Sequence, residues 1–229
     1  MRIGVPLVVA ALLVSAAPAA WSAGAGQAPS SNMPNMQPDR ELTPAERAKQ
    51  AYNSGVRAVK KADKYDETAT KATDARKKDK AVKESQEKYQ DALEKFEQAV
   101  QFDPFMYEAW NYVGYTKRKL GNYDAALDAY DHALKLKPSY PEAIEYRGEA
   151  FLRLKRLDDA KQAYLDLFSG NRTLADKLLG SMKTWLDTQR SAGSDPVSVE
   201  EFAKWIAERS QIAGQTAALT REGAGASWR

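Results

Sequence analysis

Catalytic chemistry needs reactive side chains, and this sequence offers few. It contains a single histidine, His132, and no cysteine, so thiolate nucleophiles, disulfides and thiolate metal sites are excluded. Ser85 and Lys88 have the Ser-x-x-Lys spacing of penicillin-binding enzymes, but the Lys-Thr-Gly motif of those enzymes is missing. Glycine-rich phosphate loops and His-Glu-x-x-His motifs are missing as well. The sequence therefore predicts no enzymatic activity, no cofactor and no metal site.

Composition indicates an ordered protein without a bias toward nucleic acid. Hydrophobic residues make up 43% of the 229 positions, which is enough for a packed core. The 34 Lys and Arg residues are mixed along the chain with 31 Asp and Glu residues, leaving a net charge of only +3. Without a clustered basic face, we expect no nucleic-acid partner.

The N-terminal residues 1–25 have the layout of a secretory signal peptide. Arg2 precedes an apolar run from Val5 to Val14, and small residues follow. The alternative is an uncleaved anchor in contact with the membrane, but the apolar run is shorter than the ~20 residues that span a bilayer. We expect cleavage between Ser22 and Gly26 and export to a bacterial periplasm. Residues 26–42 are predicted to be a flexible linker because they are rich in Ala, Gly, Pro, Ser and Asn.

Helical structure is predicted to begin at Thr43. Its hydroxyl can cap the free amides of the first turn, and Pro44 suits the first helical position. Glu46 completes a capping box with Thr43.

The clearest internal pattern is a 34-residue repeat, because residues 107–140 align with residues 141–168. Gly114, Ala126 and Tyr130 recur as Gly148, Ala160 and Tyr164. Small residues at two of these places let two helices approach closely, and the aromatic residue fills the space beside them. Such a period is typical of stacked helical hairpins.

The pattern resembles the tetratricopeptide repeat, which has characteristic residues at six places. Residues 107–140 fill all six places, with Trp110, Gly114, Ala126, Tyr130, Ala133 and Pro138. The resemblance implies an all-α fold, a right-handed superhelical array of about three helix hairpins over residues 43–168. Helices that follow the repeats are expected to cap the last exposed apolar face.

The first repeat, residues 44–106, departs from the pattern by carrying a long charged insertion. Val82, Tyr89 and Phe96 follow a helical period, so the second helix of this repeat is predicted to extend backward as part of a protruding hairpin. Basic residues cluster between Arg76 and Lys83, but acidic residues lie among them. A solvated helix surface is therefore favoured over a binding patch.

Residues 169–213 are predicted to form the capping helices. Ser198 and Glu201 have capping-box spacing before the last apolar stripe, which includes Phe202 and Trp205. Trp185, Phe202 and Trp205 are expected to pack as a cap, with a binding role as the alternative. Residues 214–229 are predicted to be a disordered tail.

The resemblance also places certain side chains of each first helix on the concave face. The candidate groove residues carried over in this way are Tyr52, Asn111, Tyr112, Tyr115, Arg118, Lys119, Tyr146, Glu149 and Arg153. Glu108, Glu142, Glu145 and Leu152 hold further groove places. Tyrosines flanked by arginine suit a peptide ligand, although the same tyrosines could pack between neighbouring helices. The acidic face of the second full repeat does not favour a chaperone-type carboxylate clamp.

Two functions remain open from the sequence. The first is a non-catalytic scaffold of the bacterial cell envelope that binds a peptide or protein in the concave groove. The second is a structural subunit that uses the charged hairpin or the C-terminal helices as a permanent interface. The sequence identifies neither the partner nor the oligomeric state.

Overall fold

A computed structural model describes residues 40–193 and 196–225, and these residues are all-helical without a strand. The predicted all-α superhelical fold is thereby confirmed. The described helices are α1 (Pro44–Lys71), α2 (Ala75–Phe102), α3 (Tyr107–Lys119), α4 (Tyr123–Leu136), α5 (Pro141–Arg153), α6 (Leu157–Gly170), α7 (Arg172–Ser191) and α8 (Pro196–Gly225). Within these ranges no helix is both long and apolar enough to cross a membrane. The predicted signal peptide and the linker up to position 39 lie outside the described residues.

The first hairpin is much longer than the next two because the insertion extends both of its helices. α1 and α2 have 28 residues each, about 42 Å of helix. The expected capping box is present, since Glu46 accepts a hydrogen bond of 2.9 Å from the Thr43 amide while Thr43 caps Glu46. Asp74 caps α2 by accepting a hydrogen bond of 2.9 Å from the Lys77 amide.

The apolar stripe of the hairpin differs from the sequence expectation at one place. Val82 was expected to face the partner helix but is exposed, whereas Ala81 and Ser85 are buried. Ser85 lies one helical turn before the buried Tyr89 and Ala81 lies two turns before it, so both share its face of α2. In this part of the hairpin α2 packs against α1 alone among the described helices. The contact surface is therefore narrow, and small side chains are enough to fill it.

Close packing within the repeats depends on glycine. A Cβ atom on Gly114 would lie 2.5 Å from the Tyr130 ring, so α3 and α4 approach closely only because this atom is absent. The equivalent Gly148 faces Leu178 of α7, at 2.7 Å from the position of a Cβ atom. α7 therefore packs on α5 and α6 in the way that the next repeat would.

α8 packs behind α7 through buried Val199, Phe202 and Ile206. Trp205 contacts the Tyr164 ring of α6 edge-on, with ring centroids 5.4 Å apart. Of the aromatic residues that the sequence assigned to the cap, Phe202 is buried, whereas Trp205 and Trp185 are partly buried.

Both ends of α8 differ from the sequence expectation. The helix begins at Pro196, so Ser198 lies in the first turn and is not the capping residue. Proline is favoured at the start of a helix because its missing amide would be unpaired there. The predicted disordered tail from residue 214 is helical as far as Gly225, because Gln, Ala, Leu, Arg and Glu in this segment favour helix over its three glycines. Residues 226–229 lie outside the described part of the chain.

Candidate functional site

The candidate groove residues lie on α1, α3 and α5, the first helices of the three hairpins, and this side of the array is called the groove face here. Tyrosines run along it in a chain of ring contacts. Ring centroids are 5.7 Å apart between Tyr52 and Tyr112, 6.1 Å between Tyr112 and Tyr115, and 5.1 Å between Tyr115 and Tyr146. The structure thus brings all four predicted tyrosines together.

Much of the surface of these tyrosines packs against other residues of the chain. Tyr112 stacks on Phe96 at 4.8 Å with an interplanar angle of 15°. The Tyr115 hydroxyl donates a hydrogen bond of 2.8 Å to Asp63 of α1. Burial raises the pKa of Tyr52 and of Tyr146 to about 12, so both hydroxyls are protonated near neutral pH. The N-terminal half of the groove face is therefore a packed aromatic layer.

A small polar cluster joins this layer to the long hairpin. Asp63 also accepts a hydrogen bond of 2.5 Å from Tyr89, and Asp66 accepts one from Ser85 and pairs with Lys119. Burial disfavours ionisation of Asp66, but the bonds from Lys119 and Ser85 outweigh burial and hold its pKa below the usual value. Lys119, a predicted groove residue, is thus engaged in linking α3 to α1.

Two further groove residues are paired with each other. The Arg118 guanidinium lies 2.7 Å from the Glu149 carboxylate and sits over the Tyr115 and Tyr146 rings, 5.3 and 5.4 Å from their centroids. Glu149 also accepts a hydrogen bond of 2.8 Å from Ser181 of α7. This arrangement ties α3, α5 and α7 together and leaves little of either charge for a partner.

Asn111 and Glu145 do not line the groove as the sequence predicted, because both are buried. They occupy equivalent places 34 residues apart, in α3 and α5. Glu145 accepts a hydrogen bond of 3.0 Å from Lys177 of α7. Burial, followed by the nearby charge of Glu149, raises the pKa of Glu145 to about 7.

An open cavity of about 480 Å³ lies at the other end of the groove face, between α5 and α7. Its walls include Arg153, Lys155, Lys177 and Trp185, with Leu152 also contributing. Arg153 is exposed and has no hydrogen bond or ion pair to another described side chain. Among the predicted groove residues, Arg153 is the charged one that keeps its charge open to the cavity.

Sequence reasoning missed most of this cavity. Ser181 and Trp185 were not assigned to the groove, because α7 lacks the small residues that mark a repeat, and Lys155 lies in the turn after α5, outside the helix places that the resemblance assigns to the groove. One signal was available: Gly148 recurs without a recognisable following repeat, so some other helix had to fill the space beside it.

The single histidine has a structural contact. His132 stacks on Trp110 with ring centroids 4.5 Å apart, and the Trp110 indole donates a hydrogen bond of 2.9 Å to the Pro104 carbonyl. In the described ranges no three His, Asp or Glu side chains are grouped so that they could hold a metal ion.

Comparison with known proteins finds a similarity to one family in the middle of the chain. The profile of the family described as tetratricopeptide repeat matches residues 82–141 and 114–171. No significant match occurs among proteins with curated functions.

Several solved structures are similar to this chain at low identity. One is the first tetratricopeptide-repeat domain of Spaghetti (RPAP3) bound to an HSP90 peptide, with 19% identity and a TM-score of 0.41 over 58% of this chain and 94% of that chain. The first such domain of human RPAP3 has 20% identity and a TM-score of 0.43 over 61% and 98%. MamA has 20% identity and a TM-score of 0.41 over 74% and 94%.

The family match coincides with the hairpins in which Gly114 contacts Tyr130 and Gly148 contacts α7. Residues 82–171 are therefore similar to the tetratricopeptide repeat, and this part of the chain has the helix-hairpin fold that the similarity implies.

Proposed function

We propose that this protein is a non-catalytic interaction module of the bacterial cell envelope that binds a peptide or protein partner on its groove face. The observation that carries the proposal is the cavity of about 480 Å³ between α5 and α7. Its volume falls in the range of ligand-binding clefts. Arg153 faces it without an internal partner in the described part of the chain, so packing does not account for this side chain.

The tyrosine layer supports the same proposal in a different way. Its ring contacts and its hydrogen bonds to Asp63 hold α1 and α3 together. A rigid wall beside the cavity reduces the entropy lost when a partner binds. The layer therefore acts as a fixed support, and contact with the partner is centred on the cavity.

The envelope location is proposed from the signal-like residues 1–25. We expect the mature protein to accumulate in the periplasm with an N-terminus between Ala23 and Gly26. Fractionation by osmotic shock and N-terminal sequencing test this directly. Recovery with the membrane fraction and an intact Met1 would instead indicate an anchored protein.

The binding surface can be mapped by photo-crosslinking in intact cells. A benzoyl-phenylalanine is placed at Thr184 in the cavity, at Lys135 on the exposed surface of α4, or at Lys78 near the hairpin tip. We expect a discrete crosslinked product at Thr184 that disappears when Arg153→Glu is added. The matched control Lys135→Glu makes the same charge change outside the cavity and should leave the product unchanged.

The three positions separate the two candidate functions. A product at Lys78 without one at Thr184 would favour the structural-subunit alternative, in which the hairpin is the interface. A product at Thr184 that survives Arg153→Glu would contradict a role for the open arginine.

A further inference from the structure

Lys155 has a backbone conformation that its residue type disfavours. Its φ angle is +57°, and within the described ranges it is the only residue other than glycine with a positive φ. Side chains with a Cβ atom avoid this left-handed region, which glycine adopts freely. A residue held in such a conformation indicates a compensating role for its side chain.

The neighbouring repeat shows what the position requires. Gly121 lies 34 residues earlier and has a φ angle of +86°. Both residues end their helices with the same pair of backbone bonds: Gly121 donates to Arg118 at 3.0 Å, and Lys155 donates to Leu152 at 3.1 Å. The following residues, Asn122 and Arg156, each donate at 2.9 Å to a carbonyl five residues earlier. This is the Schellman motif, which normally has glycine where Lys155 stands.

The side chain of Lys155 lines the cavity between α5 and α7. Four cationic side chains reach this cavity, two of which, Arg118 and Lys177, pair with Glu149 and Glu145. Lys155 and Arg153 are exposed and have no side-chain partner among the residues that the structure describes. Glu149 is the single carboxylate in the lining, and Arg118 and Ser181 already satisfy it. The open charge of the cavity is therefore positive.

Apolar surface lies beside these two cations. Trp185 and Leu152 contribute to the same walls. Gly180 is exposed and has no side chain, so it leaves the space in front of these walls open to solvent. A ligand that satisfies the whole cavity would combine a negative charge with an apolar group. Acidic peptide segments that contain an occasional large apolar residue have this chemistry.

We infer that the cavity between α5 and α7 selects an acidic peptide segment, whose side-chain carboxylates pair with Arg153 and Lys155 while an apolar side chain packs on Trp185. The inference rests on the proposed function and specifies the chemistry of its partner. Lysine at the Schellman position strains the backbone, but it supplies a cation. The glycine at the equivalent place of the preceding repeat, Gly121, supplies none. Most of the cavity is built from the C-terminal end of α5 and from α7, so part of it lies beyond the family match that ends at residue 171.

Selection from a random dodecapeptide library on phage tests the inference without requiring the natural partner. The full-length protein is compared with Lys155→Gly, Arg153→Ser and the double variant. Because the C-terminus of each peptide is fused to the coat protein, only side-chain carboxylates can supply negative charge. We expect selected peptides to be enriched at least threefold in Asp and Glu, and this enrichment to disappear with the double variant.

Lys155→Gly separates binding from folding. Glycine relieves the left-handed strain, so the melting temperature should stay equal or rise while affinity for a selected acidic peptide falls about tenfold. Lys155→Arg keeps the charge at the same backbone position and should retain affinity within about threefold. Unchanged affinity in Lys155→Gly, or loss in Lys155→Arg as large as in Lys155→Gly, would overturn the inference.

The library result distinguishes this inference from the proposed function on which it rests. Peptides that bind but carry no acidic enrichment would overturn the inference and leave a peptide-binding module in place. Acidic enrichment that persists in the double variant would also overturn it. Failure to select any peptide would count against the proposed function itself.

Discussion

The two ends of the groove face differ in how their side chains are used. At the N-terminal end, Tyr112 and Tyr115 contact other rings and Asp63, and Lys119 is paired with Asp66. At the C-terminal end, Arg153 and Lys155 line an open cavity without such contacts inside the described ranges. Equivalent places in successive repeats therefore pack within the chain at one end and stay open at the other, where we propose recognition. The comparison makes stability and binding separable by mutation.

The largest expected effect is on stability at the packed end. Tyr112→Ala removes a half-buried ring that stacks on Phe96 and contacts Tyr52 and Tyr115. We expect the free energy of unfolding to fall by about 3 kcal/mol, measured by urea denaturation followed by circular dichroism. A loss below about 0.5 kcal/mol would mean that the tyrosine layer does not hold the repeats together.

The buried Glu145 makes the free energy of unfolding depend on pH. Burial and the charge of Glu149 raise its pKa from 4.5 to about 7. Lys177 and Arg118 lower the pKa and offset this rise only in part. The folded state therefore binds the proton more tightly than the unfolded state, and stability falls as the pH rises from about 4.5 to 7.

The matched variant for this prediction is Glu145→Gln, which cannot ionise. The stability of the unchanged protein relative to this variant should decline by about 2 kcal/mol across that pH interval, measured by denaturation at each pH. Parallel curves for the two proteins would contradict the assignment.

A smaller effect is expected at the junction with the long hairpin. Tyr115→Phe removes one hydrogen bond to Asp63, which keeps its bond from Tyr89. The expected loss is about 1 kcal/mol of unfolding free energy. Tyr123→Phe is the control, because the Tyr123 hydroxyl makes no hydrogen bond to any described residue. An equal loss of unfolding free energy in both variants would contradict a specific stabilising role for the hydrogen bond to Asp63.

The smallest stability effect is expected at the open end. Arg153→Ala should change the free energy of unfolding by less than about 0.5 kcal/mol, since the side chain is exposed and makes no described polar contact. The same variant should weaken binding of a selected acidic peptide by roughly three- to tenfold, measured by fluorescence anisotropy. A large loss of stability would show that Arg153 belongs to the packed part of the face.

Local patterns in the sequence predicted much of the fold. The capping box at Thr43 and the 34-residue spacing that places Gly114 against Tyr130 depend on near neighbours and on one repeat period. The extension of α2 was predicted from its helical period, but Val82 was placed on the wrong face because the contact between two helices is narrow.

The site was harder to predict because it depends on how one hairpin covers the next. The average repeat register places Asn111 and Glu145 in a groove, yet both are buried, and Glu145 is bonded to Lys177 of α7. The cavity has a wall from α7, which carries no repeat signature. Lys155 could have been noticed from its alignment with Gly121, since only the backbone requirement at that place makes the difference meaningful.

The anchoring of the long hairpin determines how the protein opens under thermal fluctuation. Asp63 and Asp66 connect α1 to α3, eight and five residues before α1 ends at Lys71, and the segment beyond them is held by contacts between α1 and α2. This distal segment forms its own unit of local unfolding, and its amide hydrogens should exchange with solvent before those on the repeat side of Asp63. A tether pulling on the hairpin tip would therefore separate the last five residues of α1 and the first ten of α2, up to the contact between Asp66 and Ser85, before it strained the repeats.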